Sequence, residues 1–240
     1  MELRLSLFDH MTASSNPALI IAIDGPSASG KSTLGRLLAS ALNLLYVDTG
    51  SMYRAVALAV LEASVDPNDK TAVIALAENS AIDLQGKPEA LRVLLNGRDV
   101  TELTRTEGVT NMSSIVSAIS GVRKAMVATQ REIGKRGAVL NGRDIGTVVF
   151  PDADVKFFLD ASPNERAERR FREDQPRNST TSLSETLEEM IERDRRDSTR
   201  SDSPLKAAED AIIIDSTGLS IEEVLGKMIN VINTRLSKKS

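Results

Sequence analysis

The chain predicts an α/β fold: a five-stranded parallel sheet flanked by helices, with a small β-rich insert and a short lid. Three observations predict it. Five short apolar runs alternate with helical patterns, as buried parallel strands and their crossovers do. Three helix starts carry Ser-x-x-Glu signals, and one segment near residues 81–100 switches to a hairpin pattern.

The elements follow in order. Ala18-Leu-Ile-Ile-Ala-Ile-Asp24 reads as a buried strand, and Thr33 to Leu42 as a helix. Between them Gly25-Pro26-Ser27-Ala28-Ser29-Gly30-Lys31-Ser32 is a phosphate-binding loop. Its glycines let backbone N–H groups turn toward phosphate oxygens, and the helix N-terminus adds partial positive charge. Lys31 is placed to reach the β- and γ-phosphates, and Ser32 to offer its hydroxyl to Mg²⁺. Leu44 to Val47 is the next strand, followed by the turn Asp48-Thr49-Gly50 and a helix over Met52 to Ala63. The remaining strands are Ala138 to Leu140, Val155 to Leu159 and Ala211 to Ile214. Ser162-Pro-Asn-Glu165, Ser182-Leu-Ser-Glu185 and Ser220-Ile-Glu-Glu223 read as capping boxes. Right-handed crossovers then bring ligands to the carboxyl ends of the strands. Ile82 to Leu84, Leu91 to Leu95, Asn96-Gly97 and Arg98 to Val100 read as a β-rich insert, with an edge extension of the main sheet as the alternative.

Composition narrows the function classes. In 240 residues, 30 basic against 34 acidic side chains leave a net charge of −4, and aromatics make up 3%, so no nucleic-acid surface is expected. There is no cysteine and one histidine, His10, which excludes disulfides, thiolate metal sites and a Ser-His-Asp triad. No apolar run reaches membrane-spanning length, and Glu2, Arg4 and Asp9 interrupt any secretion signal, so no membrane partner and a cytoplasmic location are expected. A monomer is expected, because no spare apolar helix stripe is evident.

Arginines cluster where a second, anionic substrate would sit. Arg54 follows Asp48-Thr-Gly50, and Arg143-Asp144 follows a strand end. Arg193, Asp197 and Arg200 would share one face of a continuing helix, opposite Leu183, Leu187, Met190 and Ile191. The alternative for that charge run is a solvated face stitched by ion pairs. Arginine's planar fork suits phosphate oxygens, and an ionised Asp144 can accept from a base amino group. The helix from Ser162, carrying Arg166, Arg169, Arg170 and Arg172, and the polar loop Glu173 to Thr181 read as a basic flap.

Together these residues resemble bacterial cytidylate kinases of the nucleoside monophosphate kinase family, from about Ile20 to the C-terminal helix. The matching stretches are Ile23 to Ser32, Asp48 to Arg54, Gly142 to Pro151, Phe158 to Ser162 and Glu192 to Asp197, in family order. The resemblance implies a P-loop kinase fold and phosphoryl transfer from ATP to CMP or dCMP. It implies that Gly25 to Thr33 hold ATP with Arg169, and that Ser32 meets Mg²⁺. Asp144, Ser114 and Arg123 would contact the base, Asp197 the sugar and Arg193 the phosphate; Arg54, Arg143 and Arg200 would clamp the phosphate, and Thr49 would belong to the substrate site. Lys31, Arg143, Arg166 and Arg170 would stabilise the transferring group. The implied limits are an N-terminal extension over 1–17, expected to be flexible, a core over 18–76 and 114–240 with a lid at about 163–182, and a nucleotide-binding insert over 77–113. Asn141, Ser120-Gly121 and Thr49 depart from the usual pattern. The competing readings are a kinase for another nucleotide such as UMP, and a non-enzymatic P-loop module that senses nucleotide. The guanine-reading Asn-Lys-x-Asp string expected of the latter is missing from the chain.

Overall fold

The computed structural model describes residues 19–175 and 181–237. The expected flexible extension with His10, and residues 176–180 of the expected lid loop, lie outside them. In chain order the elements are β1 (Ile20–Asp24), α1 (Lys31–Leu42), β2 (Leu45–Asp48), α2 (Thr49–Glu62), α3 (Lys70–Asn79), β3 (Ile82–Gln85), β4 (Arg92–Leu95), β5 (Arg98–Asp99), α4 (Glu107–Val116), α5 (Ser120–Gly134), β6 (Ala138–Gly142), β7 (Val155–Asp160), α6 (Pro163–Asp174), α7 (Leu183–Thr199), β8 (Ile212–Asp215) and α8 (Ile221–Ser237).

The main sheet has the order β2-β6-β1-β7-β8, and every neighbouring pair is parallel. Side chains alternate across it. Ile21, Ile23, Val139 and Phe157 pack with Leu34, Leu38, Met228 and Ile232 of α1 and α8. Ala22, Ala138 and Leu140 face the opposite way, onto Met52, Val56 and Met126 of α2 and α5. Each fully buried Val, Leu, Ile, Met or Phe in these layers contributes about 1.5–3 kcal/mol relative to exposure.

The segment that breaks the alternation forms its own antiparallel sheet, β3-β4-β5, and does not extend the main one. Asn96 and Gly97 take positive φ of 52° and 80°, the pairing a two-residue type I′ turn requires. Ile82, Leu84, Val93 and Leu95 are buried in the same cluster as Val56 and Val60. That explains α2, which is buried nearly all round: the main sheet covers one side, and the insert with α4 covers the other. The expected insert limits, 77 and 113, fall inside α3 and α4.

Three local expectations change. The turn at Thr49-Gly50 is already helix, because the Asp48 carboxylate caps α2 by accepting from Ser51 N at 3.3 Å. Ser182 and Ser220 make complete capping boxes with Glu185 and Glu223. Ser162 makes half of one, because the Glu165 carboxylate turns to Arg169 and to Gly218 N instead. Finally, the α7 stripe is only partly covered. Thr186 and Met190 are buried, Leu183 and Ile191 are 42% and 51% exposed, and Arg200 lies past the helix end in an extended conformation.

Candidate active site

The loop after β1 is shaped by its glycines. Gly25 has φ of 147°, and a Cβ there would overlap the Leu159 carbonyl on β7; Gly30 has φ of 93° just before α1. The Lys31 ammonium folds back over the loop, donating to Pro26 O and to Ser29 Oγ at 3.2 Å. Burial, then the nearby Arg143, hold its pKa well below the usual lysine range, while Asp24 opposes them. An anion arriving in the loop would reverse that pressure. Ser32 Oγ accepts from Asn141 Nδ2 at 3.1 Å, which ties the start of α1 to the end of β6.

Because β6 lies beside β1, the turn after Gly142 leaves the sheet next to the phosphate loop. Asp24 joins the two. Its carboxylate accepts from Ile145 N and Gly146 N, both at 2.8 Å. Burial raises its pKa to about 6, against the pull of those two N–H groups. The sequence reading left Asp24 as a strand end; a charged residue closing an apolar run was the available signal.

Thr49, Arg54, Arg123, Arg143, Asp144, Arg193, Asp197 and Arg200 line a single cleft of about 550 Å³ together with Gly30, Lys31, Ser32 and Thr33. On its floor Arg123 and Asp144 form a buried ion pair, and Arg123 also donates to Ser117 O at 3.2 Å and lies 5.5 Å from the Tyr53 ring centroid. Thr49 Oγ1 donates to Asn141 O at 2.8 Å. Asp197 accepts from Arg143 at 2.9 Å and Arg200 at 3.4 Å. Burial would raise its pKa, but Arg143, Arg193 and Arg200 outweigh that and hold it below the usual carboxylate range. Burial, then Arg143, lower the pKa of Arg193 to about 10, which leaves it charged at neutral pH. Arg54 rests on Asp48 at 3.2 Å. Nine basic side chains line the cleft against four acidic ones, Asp48, Asp144, Glu173 and Asp197, in a chain whose net charge is −4. Such a cleft collects a multiply charged anion.

The expected flap residues separate. Arg170 lines the cleft and pairs with Asp174 at 2.6 Å. Arg166 does not line it. Its guanidinium is buried between Ala161 O, Ser27 O and Asp194, at 3.0, 3.2 and 2.6 Å, and staples α6 and α7 to the phosphate loop. Arg169 donates to Ser216 Oγ and O at 3.0 and 2.9 Å beside a second cavity of about 510 Å³, on the far side of the loop, walled by Leu34, Leu219, Ile221 and Val224. Ser114 faces a neighbouring cavity with Arg170 and Arg193, while Ser113 and Ser117 line the cleft itself. Asp194 and Ser216 escaped the sequence reading because their partners are far away in the chain.

With this geometry in place, residues 21–234 match the family model described as cytidylate kinase. The chain belongs to the cytidylate kinase family. The cytidylate kinase of Bacillus pumilus is 49% identical over 213 residues, covering 88% of this chain and 95% of that protein. The cytidylate kinase of Solibacter usitatus is 49% identical over 222 residues, covering 91% and 94%. The cytidylate kinase of Geobacter sulfurreducens is 46% identical over 226 residues, covering 94% and 97%. The likeness to these cytidylate kinases therefore spans the main sheet, the small sheet and the cleft together.

Proposed function

We propose that the protein transfers the γ-phosphoryl group of ATP to CMP or dCMP, giving ADP with CDP or dCDP, as a cytoplasmic monomer with Mg²⁺. The observation that carries this reading is the buried Arg123–Asp144 pair on the floor of an arginine-rich cleft beside the phosphate loop. Cytosine offers an amino donor next to ring acceptors, which matches a carboxylate beside a guanidinium; uracil offers an acceptor where cytosine has its amino group. Arg54, Arg143, Arg193 and Arg200 then face the acceptor phosphate, and Asp197 keeps Arg143 and Arg200 aligned. Gly25 to Thr33 cradle the ATP phosphates, and the cavity beside Arg169 has the apolar walls a purine needs.

In the reaction an oxygen of the CMP phosphate attacks the γ-phosphorus while the bond to the ADP oxygen breaks. The second pKa of such a phosphate is about 6, so near neutrality the nucleophile is already a dianion and requires no general base. The work left to the protein is in-line positioning and charge stabilisation by Lys31, Arg143 and Arg170. The donor set also suits a hard cation. The Ser32 hydroxyl is an oxygen ligand at the loop, and beside it the buried Asn141 Oδ1 has no partner. When bound, Mg²⁺ neutralises charge on the β- and γ-phosphates. Among the described residues no helix is long and apolar enough to cross a membrane.

The test is ADP release from Mg-ATP with CMP, dCMP, UMP, AMP and GMP as acceptors. Turnover concentrated on CMP and dCMP is expected. Equal turnover of UMP would overturn the role of Asp144, and no turnover with any acceptor would leave a nucleotide-sensing module.

A further inference from the structure

We infer that Asn141 is a positioning residue for the cation site, using its side-chain amide to orient the Ser32 hydroxyl in both the metal-free and the metal-bound state. The inference rests on the reading that the cleft takes a Mg²⁺ nucleotide. Asn141 is 4% exposed, and its backbone is fixed between β1 and β2, where it pairs with Ile23 and Asp48. Thr49 Oγ1 holds its carbonyl. Only the side-chain amide is free to adjust. Nδ2 donates to Ser32 Oγ at 3.1 Å, and Oδ1 is buried with no hydrogen-bond partner, although buried carbonyl oxygens almost always have one. The Tyr46 hydroxyl, another buried group without a completed hydrogen bond, lies beside Ser32 too.

A hydroxyl has one proton and two lone pairs. As found, one Ser32 lone pair takes the Asn141 N–H, the same kind of lone pair a cation would need. Once the cation holds Oγ, the hydroxyl proton must point at an acceptor. A half-turn of the Asn141 amide about Cβ–Cγ supplies Oδ1 for that purpose; Nδ2 then takes the place in which Oδ1 has no partner, so the exchange answers the need of the hydroxyl proton and not a gain in satisfied groups. A carboxylate could serve only the second arrangement, because it has no proton to donate. The amide serves both without adding a buried charge next to Asp48.

The experiment measures ADP affinity of the full chain with and without Mg²⁺, and takes the ratio of the two. Groups that orient a metal ligand typically change metal affinity about 10- to 100-fold when removed. Asn141→Ala is expected to shrink the ratio by about tenfold relative to the unsubstituted protein. Metal-free ADP affinity and CMP affinity should stay unchanged, and Asn141→Asp, which keeps the acceptor, should restore the ratio. Asn141→Leu, of similar volume, should lose as much as Ala and replaces it should Asn141→Ala not fold. An unchanged ratio in the Ala or Leu variant overturns the inference, as does an equal loss with and without Mg²⁺, which would mark a purely structural role. A wild-type ratio of one would instead overturn the Mg²⁺ reading.

Discussion

Asp144 and Arg123 neutralise one another in a place where either alone would be an uncompensated buried charge. That mutual dependence shapes what a substitution reveals. Asp144→Ala removes the acceptor proposed for the cytosine amino group, and a hydrogen bond to a charged group is worth about 1.5–3 kcal/mol. The expected result is a KM for CMP raised roughly 10- to 100-fold, with the KM for ATP within about twofold. Steady-state kinetics on the purified variant decide it, and parallel rises in both constants would make Asp144 a structural residue. The residues proposed to touch nucleotide phosphate were legible because their chemistry is local: Lys31, Ser32 and the glycines are a contiguous string. Asp24 was not, because what distinguishes it is a pair of N–H groups more than a hundred residues away. Arg166 was misplaced for the same reason, since an arginine on a flap and an arginine buried against Asp194 have identical sequence signatures.

At the scale of elements, the strands and the hairpin were legible from apolar runs and from Asn96-Gly97. Helices α3, α4 and α5 were not: α4 and α5 have no side-chain cap at their starts, and Asp69, which caps α3, lacks the glutamate three residues on that marks a capping box. The amphipathic face of α4 packs on α2, and that of α5 on α3 and β2. The hairpin offers a clean test. A Cβ at Gly97 would meet nothing within 4 Å, so the cost of Gly97→Ala is the left-handed backbone alone, about 1–2 kcal/mol. Gly97→Ala should therefore lower Tm by about 2–8 °C. Turnover per folded molecule should stay the same. Calorimetry and an activity assay on one preparation measure both, and a fall in kcat would mean that the small sheet sets the acceptor geometry.

For the whole molecule, the raised pKa of Asp24 couples folding to pH. The folded state holds this proton more tightly than the unfolded chain, whose reference value is 3.8. Its contribution is complete below that value and is lost as pH rises through about 6. A shift of this size corresponds to about 3 kcal/mol at most. Asp197 has the opposite sign, with its contribution present above the unfolded value and lost in more acidic solution. The two windows do not overlap. Denaturant titrations of the wild type and of Asp24→Asn between pH 4 and pH 7 should show the wild-type advantage shrinking as pH rises, whereas a constant difference would mean that Asp24 is ionised throughout. The tie that Asp24 makes between the phosphate loop and the acceptor turn also bears on how such a chain tolerates inherited change. Insertions and deletions in the β3–β4 connection leave the spacing of the two turns untouched, because neighbouring strands about 4.8 Å apart set it. A slip of one residue between β1 and β6 would move Asp24 off both N–H groups and turn Asn141 to the other face of the sheet. Lineages can therefore drift in loop length while the alignment of two five-residue strands stays fixed.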